Sequence, residues 1–179
     1  SSSQLAGLTT TQVASLATTA LGYLSTSAIT GLNTSQIAAM TTAQLNSLST
    51  TNIQVMSGAQ LGALEQGDFA ILGDKLNVLS STQVSGLTTT QLKNLSTIQL
   101  SNLTTAQIAY LSTAQLNALS SVQIQALTSS QVQALSSVQL NGVDSVQLAA
   151  LSSAQVGVLT SQQLNGMNSS ALQALDTAD

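Results

Sequence analysis

Three of the six carboxylates in this 179-residue chain, Glu65, Asp68 and Asp74, lie close together in the sequence. Acidic oxygens gathered on an irregular loop are what a calcium ion takes as ligands, so these three are the candidate metal site. Their spacing matches no EF-hand loop, and no Asp-Gly-rich nonapeptide accompanies them. A solvated break in an otherwise regular chain explains the same residues more simply and is the preferred reading. A lysine can activate a serine nucleophile, and Lys75 and Lys93 are the only cations present. Against them stand dozens of Ser and Thr hydroxyls for which a structural role is available. With no His and no Cys, the usual general base and the soft metal ligands are missing. No catalytic residue and no cofactor is expected, and the chain is read as a non-enzyme.

Composition narrows the classes further. Charged residues make up 4% of the chain, against about 25% in ordinary soluble domains. The polar half is almost all Ser, Thr, Gln and Asn, so the net charge of −4 is spread too thinly to steer a charged partner. Two lysines and 2% aromatics cannot neutralise and stack a nucleic acid. Disulfides are excluded by the lack of cysteine. No apolar run approaches the roughly 18 residues that span a bilayer, so no membrane insertion is expected. There is no initiator Met and no signal peptide, and the chain starts and stops inside its own repeat, as a mature product or a fragment would. Tyr23 and Tyr110 are isolated aromatics, suited to packing or to an interface.

The repeat dominates everything else. Counted from Ser1, units of eight residues read (Ser/Thr)-x-x-Gln-(Leu/Val/Ile)-x-x-Leu, interrupted once by a seven-residue unit at Gly73 and resuming at Ser80. The fourth slot is Gln in 16 of 22 units, whereas the fifth and eighth slots are apolar in all of them. The hydrophobic pattern is therefore stricter than the glutamine.

Three backbones compete for such a period. In a continuous α-helix eight residues overshoot two turns by about 80°, so the apolar stripe would wind off any partner. A β-solenoid with 16-residue coils suits Thr, Val and Ile. Its apolar slots, however, are separated by three and then five residues, which places them on opposite faces of a straight strand. A short helix per unit explains more. Ser/Thr-x-x-Gln is a capping box, in which the hydroxyl accepts from the backbone N–H three residues on and the Gln returns a bond to the cap's N–H. Ser112 with Gln115, Ser120 with Gln123 and Thr128 with Gln131 are the clearest boxes. Leu111 with Leu116, Leu119 with Ile124 and Leu127 with Val132 are the apolar pairs that flank them as hydrophobic staples and form the core. Asn33, Asp144, Asn168 and Asp176 replace the hydroxyl with other good N-cap residues. The expectation is all-α: a solenoid or superhelix of very short helices, one per octad, each too short to stand alone and stabilised by its neighbours.

The array divides into an irregular N-terminal part over residues 1–64, a charged break over 65–79 and a regular C-terminal part over 80–179. The break holds four of the eight charges, the only Phe and the missing residue.

Stretches such as Leu119-Ser-Ser-Val-Gln-Ile-Gln-Ala-Leu127 resemble the Leu-Thr-x-x-Gln-Val-x-x octapeptide arrays of very large secreted or surface bacterial proteins, adhesin-like and repeats-in-toxin-like. The resemblance covers nearly the whole chain except 65–79. It implies an extracellular or cell-surface setting and no catalytic residues. A neutral surface lacks the repulsion that keeps copies apart, so copies of the chain itself are the expected partners, in a filament or surface layer. A passive stalk that spaces out neighbouring modules of a longer chain, and an ice-binding face of hydroxyls, are the alternatives.

Overall fold

The structure, a computed structural model, describes residues 2–176. Among these the chain forms twenty-one α-helices, nearly all of five or six residues, with one 3-10 segment and no strand. This is the short-helix array, one helix per octad.

The local cause repeats from unit to unit. At Ser112 the backbone is extended (φ −71°, ψ 160°), and the helix Thr113–Asn117 begins at the next residue. The Ser112 hydroxyl accepts from the Gln115 N–H at 3.2 Å, while the Ser112 N–H donates to Gln115 Oε1 at 2.9 Å. Two of the amides that a helix start leaves unpaired are thereby satisfied. At the other end the Leu119 N–H donates to the Leu116 carbonyl at 3.1 Å, which tightens the last turn before Ser120 opens the next unit. The boxes at Ser120 and Thr128 close in the same way, as does that at Asn33. Asn168 also caps, accepting from the Ala171 N–H at 2.8 Å.

Two of the four substituted caps depart from the sequence expectation. Asp144 has the extended cap backbone but no side-chain cap bond. Its N–H donates instead to Asn117 Oδ1 at 2.8 Å, and the Gln147 N–H bonds the Asp144 main-chain carbonyl. Asp176 lies inside the last helix, Ser169–Asp176, which runs on through the position where another cap would stand.

The chain divides into two compact units, Ser1–Gln91 and Leu92–Asp179. Residues 65–79 therefore lie within the first. In each unit helices pack on the third element further along. In the first, Thr18–Gly22 packs on Thr42–Ser47, and Thr50–Val55 on the 3-10 segment Gly73–Val78. In the second, Thr105–Ala109 packs on Ser129–Ala134, and Ser145–Ala149 on Ser169–Asp176. In most octads the fifth and eighth slots point into the unit's interior: Leu116 and Val132 are fully buried, and Leu111, Leu119, Ile124 and Leu127 nearly so, whereas the fifth-slot Leu164 and Leu172 near the C-terminal end are exposed. Phe69 takes the fifth slot of the irregular stretch and is also buried. No helix among the described residues is long and apolar enough to cross a membrane.

Candidate functional site

The capping glutamines do more than cap. Gln123 and Gln131 are 4% and 2% exposed, and a buried amide needs partners for its NH2 as well as its oxygen. Gln131 Oε1 accepts from the Thr128 N–H at 2.8 Å. Its Nε2 reaches back to the carbonyls of Leu100, Ser101 and Leu103 at 3.0, 3.2 and 2.6 Å. Those carbonyls close the helix Thr97–Ser101 and are among the acceptors a helix end leaves without intrahelical donors. One side chain thus joins the start of its own helix to the end of another, 28 to 31 residues earlier. Gln44, Gln123, Gln155 and Gln163 repeat the pattern at the same separations. Helices touch at three octads and glutamines bond at nearly four, so one turn of either unit takes between three and four octads.

The irregular stretch keeps this arrangement with different chemistry. Lys75, directly before the buried Leu76, occupies the glutamine slot of the seven-residue unit. Its Nζ donates to the carbonyls of Asn46 and Leu48 at 3.1 and 2.8 Å, 29 and 27 residues back. The glutamine bonds span 30 and 28 residues at the equivalent carbonyls, and the missing residue accounts for the difference. Asn52, a shorter amide in the same slot, donates to Leu24 O at 3.0 Å. Gly73 opens the 3-10 segment at φ +47°, a region that glycine enters without a Cβ penalty.

Two of the three carboxylates named above have described side chains. Glu65 is exposed, and Asp68 is half-buried and accepts from the Thr42 hydroxyl at 2.7 Å. The side chain of Asp74 lies outside the described residues. Among the described residues no three His, Cys, Asp or Glu gather as a metal site would need. The Lys75 ammonium is held by main-chain carbonyls rather than by a serine. Lys93 is exposed, as are Tyr23 and Tyr110. A cleft of about 270 Å³ bordered by Gln133, Ser137, Thr160 and Gln162 contains no titratable group.

A second set of inter-turn bonds comes from the sixth slot of some C-terminal octads. Asn117 donates to the Gly142 carbonyl at 3.1 Å and accepts from the Asp144 N–H. Asn141 does the same to Gly166 and the Asn168 N–H, at 2.9 and 2.8 Å. The approach is close enough that a Cβ on Gly142 would overlap Thr113 Cγ2. At Asn168 the fourth slot is Ala171, so no glutamine is displaced by the asparagine. At Asp144 it is Gln147, whose Oε1 loses its usual donor and is buried without a hydrogen-bond partner.

The reach of the glutamines has one visible sequence signal. A capping box accepts Glu as readily as Gln, yet the fourth slot is Gln sixteen times and never Glu, with a carboxylate there only at Asp68 in the irregular stretch. A slot that rejects Glu asks for a donor. The asparagine pairs left no such trace, because Asn also appears at sixth and seventh slots without them.

The ALTTAQ repeat family matches residues 19–50 and the overlapping segments 91–121 and 100–137. Asn102-Leu103-Thr104-Thr105-Ala106-Gln107 differs from that hexapeptide only in its first residue. The matches establish a short-repeat array. No curated protein and no solved structure matches the chain.

Proposed function

We propose that this is an extracellular structural repeat protein that associates with copies of itself into a filament or surface layer. The observation that carries the reading is where the chain spends its polar chemistry. Its buried glutamine amides are used to tie one turn to the next, and the groups left outside are mostly neutral hydroxyls, amides and aliphatic side chains, with few charges or aromatics among them. Ile98, Val122, Val138 and Val146 are each more than 60% exposed. A surface with so little charge offers few repulsive contacts between copies, and aliphatic side chains on it favour association. Sedimentation and light scattering over a range of concentration and salt test the proposal. Growth of the weight-average mass with concentration is expected, and a monomer throughout would refute it.

A second reading, a stalk that spaces neighbouring modules at a cell surface, draws on the locality of the bonds. Each glutamine bond closes over 27 to 31 residues, so units can be gained or lost without rewiring distant parts. The flanking sequence of the parent gene distinguishes stalk from filament subunit.

A further inference from the structure

We propose that Ile98, Val122 and Val146 form a self-pairing row, which takes the same row of a second copy in antiparallel register centred on Val122. In the first unit the third slot of every eight-residue octad is Ser, Thr, Ala or Gly. In the second unit that slot is Ile or Val four times, at Ile98, Val122, Val138 and Val146. Ile98, Val122 and Val146 follow one another at intervals of three octads. The helix Thr97–Ser101 packs on Ser121–Gln125, which packs on Ser145–Ala149, so the three side chains stand on consecutive turns. They are 69%, 64% and 65% exposed. Val138 is as exposed but sits on Ser137–Gly142, which packs on Ser161–Gly166 instead.

The spacing and the charges both select a copy of the chain as the occupant. Ile98 and Val146 are equally far from Val122 along the chain. A two-fold axis through Val122 therefore sets Ile98 of each copy on Val146 of the other, and a copy matches the interval between turns by construction. Between residues 92 and 175 the only charges are Lys93 and Asp144, both exposed. Along the chain Lys93 precedes Ile98 by five residues and Asp144 precedes Val146 by two. Antiparallel pairing brings opposite charges together at both ends, whereas parallel pairing opposes like charges. Three aliphatic side chains contribute roughly 60 to 120 Å² each. Such a contact lies at the small end of protein interfaces, so it is weak as a single pair and adds up where copies are held side by side.

The proposal rests on the self-association reading above, and the experiment separates the two. The chain has no cysteine, so single-cysteine variants of the full chain report the contact directly under mild oxidation. Val122→Cys is expected to form a disulfide-linked dimer at least tenfold faster than Val138→Cys. Ile98→Cys mixed with Val146→Cys is expected to cross-link faster than either alone. Equal rates for Val122→Cys and Val138→Cys, or Ile98→Cys coupling to itself as fast as to Val146→Cys, would overturn the proposal. In parallel, sedimentation compares the native chain with the triple variant Ile98→Lys, Val122→Lys, Val146→Lys, with circular dichroism as the folding control. At least a tenfold weakening of association is expected, with none for Val138→Lys. Association unchanged in the triple variant removes this row and leaves self-association standing. A native chain that stays monomeric removes both.

Discussion

Gln131→Glu separates the two jobs of the fourth slot, because it changes one and spares the other. Glutamate keeps the oxygen that accepts from the Thr128 N–H, and a carboxylate at a helix start is mildly favourable, by about 0.3–1 kcal/mol. If capping were the whole role, the variant would match or slightly exceed the native stability. The other half of the amide faces three carbonyl oxygens at 2.6 to 3.2 Å in a side chain that is 2% exposed. There the substitution removes two donors, each worth about 1 kcal/mol net, and sets a buried charge against acceptors, so the total cost is about 3–5 kcal/mol at neutral pH. Urea or thermal unfolding followed by circular dichroism measures it, and a fall in Tm of roughly 6–20 °C is expected for a chain of this size. Burial among acceptors raises the folded-state pKa of the new carboxyl above its unfolded value of about 4.3. The charge-dependent part of the penalty is then absent below the unfolded pKa, where the neutral carboxyl also restores one donor. It grows by about 1.4 kcal/mol per pH unit above that value until the folded pKa is reached. The variant should therefore approach the native stability as the pH falls toward 4. Gln12→Glu is the internal control, since Gln12 is exposed and its oxygen accepts from the Thr9 N–H at 2.8 Å in the same box. It should be neutral or slightly stabilising. A Gln131→Glu variant as stable as the native chain at pH 7 would refute the inter-turn role.

Replacing Lys75 with Met keeps the aliphatic stem and removes the bonds to Asn46 O and Leu48 O. A loss of about 1–3 kcal/mol, the range for hydrogen bonds from charged groups, is expected in urea titrations. Gln147→Met should be neutral or stabilising by up to about 1 kcal/mol, since it deletes a buried oxygen that has no partner and gives up only a long 3.4 Å bond from Nε2 to the Leu119 carbonyl. The same change at Gln139, whose amide donates to Leu111 O at 2.7 Å, should cost about 2 kcal/mol. Gly142→Ala should destabilise by about 1–3 kcal/mol through overpacking against Thr113 Cγ2. Thr113→Ser, which removes that methyl group, should recover most of the loss, and thermal melts of the three variants check both points.

The helices were legible in the sequence because their causes are local. Cap, box and apolar slots all act within one octad, so a pattern of eight residues states them in full. The turn was not legible, because nothing inside an octad says where a glutamine NH2 must go. Its acceptors lie 28 to 31 residues away and are main-chain carbonyls, which every residue carries and no sequence marks. The same reason hid the fate of Asp144. As an isolated residue it is a good cap, and only the asparagine 27 residues earlier takes its N–H away. The partner of the Asp68 carboxylate was hidden for the same reason: it accepts from the Thr42 hydroxyl, 26 residues earlier.

The seven-residue unit shows what the array holds constant. Had the fold depended on a fixed separation along the chain, a lost residue would have put each glutamine whose bond spans it one carbonyl out of register. Gln83 instead bonds Ile53, Gln54 and Met56 at separations of 30, 29 and 27, each one shorter than in the regular octads and each at the same slot of the earlier helix. The slot is kept and the count gives way. The adjustment falls where the helix is replaced by a 3-10 segment that rises further per residue, entered through the glycine at positive φ. Lysine, longer than glutamine and with three donors, still reaches two carbonyls from the altered backbone. Position 75 therefore needs reach and a donor, where the regular octads need an amide that also caps. Without a serine or threonine cap at Gly73, Lys75 has no box to close, which is why a side chain with no acceptor can stand in that slot.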